Sequence, residues 1–130
     1  MDKSLLGAIV YCWLPLTEAP YEPGPKFRPV LVVEHDMQSG RVRVAPGTTR
    51  KLDLLYRGEF LVDDAEGGEG LHCTTKFKLL GSLWLPLQPR FFLGHGRKFR
   101  CAGSVPLSRQ RLFFEALREA GIYQHNSNAA

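Results

Sequence analysis

The sequence predicts a mainly β domain, a curled antiparallel sheet or small barrel with one helix covering an opening. Three observations lead there. Short runs rich in β-branched and aromatic residues recur through the first 87 positions. Clusters of Gly, Pro, Asp and Ser separate them at turn-like spacing. The one stretch with helical periodicity and neither Pro nor Gly comes late, at 109–120.

Residues 7–14, GAIVYCWL, read as the first strand, apolar on both alternate faces and ended by Pro15. Residues 15–25 hold four prolines, a glycine, Glu18 and Glu22, a density that excludes helix and central strand and predicts a long acidic loop. The second strand is expected over 29–34 (PVLVVE), a turn over 35–40, and the third strand over 41–45 (RVRVA). In RVRVA, Val42 and Val44 face the core, and Arg41 and Arg43 face water. A loop follows, then a short strand at 59–62 and an acidic, glycine-rich turn at 63–70. Residues 71–87 predict one or two more strands, bent at Gly81-Ser82. In 88–103, Arg90, Arg97, Lys98 and Arg100 interleave with Phe91, Phe92 and Phe99, and Gly94-His95-Gly96 suggests a hairpin. The helix at 109–120 has Ser108 as N-cap, Gly121 as its C-terminal stop, and Leu112, Phe113, Ala116, Leu117 and Ala120 on its apolar face. The final QHNSNAA is a polar, fraying tail over 124–130.

At 130 residues, 44% of them hydrophobic, the chain has room for one domain, taken as 1–123. No apolar run is long enough for a membrane span. The apolar start carries Asp2 and no small-x-small cleavage site, so it reads as a strand rather than a leader, and a cytoplasmic protein is expected. Three scattered cysteines, Cys12, Cys73 and Cys101, fit a reducing compartment and small core positions. They offer no paired ligands for zinc, so neither a metal nor another cofactor is expected. Residues 1–66 carry 8 Lys and Arg against 10 Asp and Glu, and residues 67–130 carry 9 against 3, a net of −2 followed by +6. That asymmetry admits a polyanionic partner.

The order G-A-I-V, then R-P-V-L-V-V, then P-G-T-T, with T-K-F-K-L-L-G-S-L-W-L-P-L later, resembles the MazF/PemK-like family of type II toxin–antitoxin toxins. The resemblance covers roughly residues 7–87. It implies an SH3-like β-barrel with a C-terminal helix, a homodimer, a metal-independent endoribonuclease acting on single-stranded RNA, and an antitoxin partner. By position in the family's motifs it implies Arg28 and Thr48 as catalytic residues. Arg50-Lys51 depart from the Gln or Ser that many members place after the threonines, and residues 88–103 look like an insertion.

Metal-independent RNA cleavage needs a base, an acid and positive charge on the phosphate. Arg28 suits the last, because a guanidinium binds phosphate oxygens bidentately. Thr48 can hydrogen-bond a phosphate oxygen, and Lys26, Thr49, Arg50 and Lys51 are candidates for RNA and phosphate binding. Asp53 and His35 are the nearest bases in sequence; His72, His95 and His125 read as turn or surface residues. The bland alternatives are a surface ion pair between Arg28 and Glu18 or Glu22, and turn chemistry for Thr48. Arg90, Arg97, Lys98 and Arg100 are candidate contacts for a partner. The alternative function is a catalytically inactive member of the fold that binds protein or nucleic acid as a regulator or inhibitor.

Overall fold

The computed structural model describes residues 4–63, 71 and 73–122. The stretch 64–70, His72, His125 and the tail at 124–130 lie outside them.

Seven strands form among the described residues: β1 (Ala8–Trp13), β2 (Phe27–Asp36), β3 (Arg41–Thr48), β4 (Glu59–Val62), β5 (Thr75–Lys78), β6 (Leu83–Pro86) and β7 (Cys101–Ser104). They make one antiparallel, half-barrel sheet in the order β4-β5-β3-β2-β1-β7, with β6 also paired to β3. β2 starts earlier than its apolar run, because Phe27 and Arg28 pair with Trp13 and Cys12 across the ladder. The β2–β3 turn is closed by the Asp36 carboxylate, which accepts from the Gln38 and Ser39 N–H groups at 3.1 and 3.3 Å. Gly40 there takes a φ of +71°.

The sheet is apolar on both faces. On one, Ile9, Tyr11, Leu31, Val33 and Ala45 pack with Phe60, Phe77 and the helix residues Phe113 and Leu117 to form the barrel interior. On the other, Val10, Val30, Val32, Val42 and Val44 are covered by Phe91 and Phe92. This second core explains why residues 88–103 do not form the expected hairpin. Consecutive strand residues point to opposite faces, so a strand cannot bury Phe91 and Phe92 together. The segment instead makes one helical turn, α1 (Pro89–Phe92), with Pro at its start. Only an isolated Leu93–Phe99 bridge remains of the hairpin, and the chain returns as β7 along β1.

Helix α2 (Gln110–Glu119) follows a 3-10 turn, Leu107–Arg109, and Ser108 makes no capping bond. Its end is as expected. Gly121 has φ +75°, the Gly121 N–H donates to the Arg118 carbonyl at 3.0 Å, and the Ile122 N–H donates to the Leu117 carbonyl at 2.9 Å. Leu112, expected inward, is half exposed, because Phe113, Ala116 and Leu117 define the buried face. No helix among the described residues is long and apolar enough to cross a membrane.

Candidate functional site

An antiparallel hairpin brings the start of β2 beside the end of β3. The pairs Val32–Val44, Leu31–Ala45 and Val30–Pro46 keep a constant register. Continued two places beyond the ladder, that register would set Arg28 opposite Thr48, and directly opposed residues share a face. The two motif residues, 20 positions apart in sequence, thus stand two places beyond the last β2–β3 pair, at the neighbouring ends of the two strands.

The β2–β3 ladder itself stops at Val30–Pro46. Beyond it β3 pairs with β5, Gly47 opposite Phe77 and Thr48 opposite Lys76. Glycine suits this crossing, since a Cβ at 47 would come within 2.6 Å of the Thr75 methyl and 3.0 Å of the Phe77 ring.

Arg28 is exposed. Among the described residues it makes no ion pair or hydrogen bond, so the Glu18 or Glu22 pairing is not realised. The Thr48 hydroxyl accepts the Arg50 N–H at 3.1 Å, which is the turn chemistry considered above. A hydroxyl that accepts still has its own proton to donate. Lys26, Thr49, Arg50 and Lys51 are exposed around this rim.

The loop after Thr49 is wound on a buried cation. Lys76, 2% exposed, donates from Nζ to the Lys51 and Leu54 carbonyls at 2.9 and 2.6 Å and pairs with Glu59 Oε1 at 3.2 Å. Lys51 adopts a φ of +54° to present its carbonyl. Sequence alternation groups Lys76 with Thr74 and Lys78 on a polar face and so hides its role; no local signal distinguishes it. Burial pushes the Glu59 carboxyl up. The Tyr56 N–H at 2.8 Å, the Lys76 ammonium and Lys78 outweigh that and hold it below the ordinary glutamate value. The stability it contributes is therefore present at neutral pH and is lost as pH falls through that lowered value. Thermal melts from pH 7 to pH 3 should show wild type and Glu59→Gln converging at the acid end; a gap constant with pH would contradict the assignment.

The other sequence candidates separate. His35 stands seven residues along β2 from Arg28, about 23 Å at 3.3 Å per residue. Its Nδ1 accepts the Leu5 N–H at 2.9 Å, and it lines a cavity of about 540 Å³ with Met37, Phe92 and Phe99 at the turn end of the hairpin. Burial lowers its pKa, partly offset by Asp36. It is no base for Arg28 and Thr48. Asp53 is exposed in the loop wound on Lys76. Arg43 does not face open water as expected. It pairs with buried Glu34 at 3.3 Å and donates to Ser82 Oγ at 2.8 Å. Cys12, opposite Arg28, is buried and its thiol is pushed up to about 12, so it is inert at neutral pH. Cys73 and Cys101 are exposed rather than core. Among the described residues no cluster of His, Cys, Asp and Glu has the arrangement of a metal site.

The basic residues of 88–103 divide. Arg90 stacks on Phe91, its guanidinium 4.6 Å from the ring centre, and lines a pocket of about 350 Å³ with Tyr21, Arg41 and Trp84 at the free edge of β6. Arg97 and Lys98 are exposed in the turn that closes through the Gly94 N–H and the Lys98 carbonyl at 2.9 Å. Arg100 lies over Tyr11 at 4.2 Å. This turn sits at the Trp13–Phe27 end of the sheet, beside Arg28. Trp13 Nε1 donates to the Leu93 carbonyl at 2.8 Å, and its ring meets Phe27 at 5.0 Å and, edge to face, His95 at 5.6 Å.

No protein-family model matches the sequence, and no curated protein matches it. Among solved structures the chain is similar to the Mycobacterium tuberculosis toxin MazF-mt6, 24% identical, with 88% of this chain and 95% of that one covered and a TM-score of 0.60. It is also similar to a structure described as an Mtb toxin, 25% identical, with 72% of this chain and 91% of that one covered and a TM-score of 0.54. The half-barrel with its C-terminal helix is the MazF-like fold, and the resemblance first carried by short motifs is now carried by architecture.

Proposed function

From this MazF-like fold we propose a metal-independent endoribonuclease toxin that cleaves single-stranded RNA. The observation that supports the reading is that Arg28 and Thr48 stand at the neighbouring ends of β2 and β3, each two places beyond the last pair of that ladder. In this reading Arg28 grips the scissile phosphate with two parallel N–H donors, and the Thr48 hydroxyl donates to a phosphate oxygen. Lys26, Thr49, Arg50 and Lys51 hold the flanking backbone. The protein acts in the cytoplasm as a homodimer and is held in check by an antitoxin. Exposed Leu80, Leu107, Leu112 and Phe114 are the apolar surface that a protein partner would cover.

The test is incubation of the purified protein with single-stranded RNA in excess chelator. Cleavage is expected, and 2′-deoxy substitution throughout the strand should block it, because the 2′-hydroxyl is the nucleophile when no metal activates water. Intact RNA under all conditions sinks the reading. A second reading, a non-cleaving regulator or inhibitor that binds nucleic acid or protein, is favoured by the absence of any described imidazole or carboxylate in contact with Arg28 or Thr48. RNA that is bound but never cut selects it.

A further inference from the structure

The 94–100 turn is more than a cover for the outer face of the sheet. Helix α1 lies against one face, and the chain then crosses the end of β1 and returns as β7. In crossing, it meets Trp13 and Phe27, which are themselves a cross-strand pair. Three contacts fix the Trp13 indole: its N–H to Leu93, the tilted Phe27 ring and the edge-on His95. The backbone at Gly94 approaches Phe27 so closely that a Cβ there would stand 2.7 Å from the ring. Trp13 and Phe27 nevertheless stay only half-buried. Around them Lys26, Arg28, Arg97 and Lys98 form no ion pair with any described carboxylate. Arg97 adopts a φ of +56°, a left-handed conformation that non-glycine residues rarely hold.

Fixed, part-exposed aromatic rings bordered by unpaired cations are the two components with which proteins hold single-stranded nucleic acid. Phe27 and Arg28 are adjacent in one strand and so point to opposite faces. A strand of RNA passing over the end of the sheet would meet Arg28 on one side of the rim and the Trp13–Phe27 rings on the other. We propose that Trp13, Phe27 and the 94–98 turn form a second RNA subsite, in which a base next to the Arg28-bound phosphate stacks on the Trp13–Phe27 pair while Arg97 and Lys98 neutralise the following phosphates. The inference rests on the RNA-cleavage reading and adds to it a role for residues 94–98. RNA rather than a peptide is favoured because the free charges are all cationic and flank aromatic faces, and the open rim runs on to the candidate cleavage residues.

The protein holds two tryptophans, Trp13 and Trp84, so Trp84→Phe leaves Trp13 as the sole indole reporter. A 2′-deoxy oligonucleotide, which binds without being cut, is titrated into this variant at several salt concentrations. Quenching of Trp13 emission on binding is expected. Arg97→Glu with Lys98→Glu should weaken binding at least tenfold and reduce the salt slope by about 1.4, from two lost phosphate contacts at about 0.7 each. Binding with unchanged emission and unchanged slope overturns the subsite, leaves the cleavage reading intact, and gives the basic turn to a protein ligand instead. A protein that neither binds nor cuts RNA overturns both.

Discussion

Arg28→Ala is expected to lower RNA cleavage by about 10²- to 10³-fold, the range for loss of one charge-stabilising donor at a reacting centre. Folding should be almost untouched. The side chain is exposed and holds no described partner, and such surface changes shift stability by no more than about 0.5 kcal/mol. Arg28→Lys sharpens the test. Lysine keeps the charge but not the two-pronged geometry, so a rate between wild type and alanine is expected if bidentate phosphate binding matters. Single-turnover cleavage at saturating RNA separates this loss from weakened binding. Wild-type rates in both variants would remove Arg28 from the mechanism. Thr48→Val, compared with Thr48→Ser, asks the same of the hydroxyl. Valine also removes the acceptor for the Arg50 N–H, whereas serine keeps it, so only a valine-specific loss is ambiguous between turn and chemistry. Melting curves resolve it.

Lys76→Ala is expected to be the most destabilising single change near the site, costing about 3–5 kcal/mol, as for one partner removed from a buried ion pair. It strands the Glu59 carboxylate, whose side chain is 11% exposed, and it leaves the Lys51 and Leu54 carbonyls without their donor. The denaturation midpoint reads the loss directly. A double variant, Lys76→Met with Glu59→Leu, should recover much of it, because an apolar pair of similar volume avoids the unpaired charge. Recovery of stability without recovery of RNA affinity would separate the two consequences of Lys76. The apolar pair refills the core but does not tether the loop that carries Arg50 and Lys51. Equal stability of Lys76→Ala and wild type would contradict the ion-pair geometry.

Much of the fold was legible because local rules and tertiary demands agreed. The 59–62 strand, the Gly40 turn and the Gly121 helix stop each follow from dihedral preference or alternation. The failures have a common physical cause, burial supplied by a remote element. Phe91 and Phe92 form a helical turn because the outer faces of β1, β2 and β3 need covering, which nothing within 88–103 reveals. Leu112 stays half exposed although it fits the helical period. Lys76 was lost among alternating polar residues, since what buries it is a loop 22 to 25 positions away. At the site, Arg28 and Thr48 were visible as motif residues, and the antiparallel hairpin brings the strand ends that carry them next to each other. The aromatic rim was not visible, because Trp13, Phe27 and His95 come from three separate segments.

The short β3–β5 ladder has a dynamic consequence. β3 is joined to β2 by six residue pairs but to β5 by only two, Gly47–Phe77 and Thr48–Lys76. The β4–β5 unit and its tethered loop are thus the part of the sheet with least backbone anchorage, and subglobal opening should begin there. Arg28, paired with Cys12 in the β1–β2 ladder, is then expected to exchange more slowly than Thr48, which pairs only with Lys76. Amide hydrogen exchange that is fastest in β4 and β5 and slowest in β1 and β2 is the expected outcome.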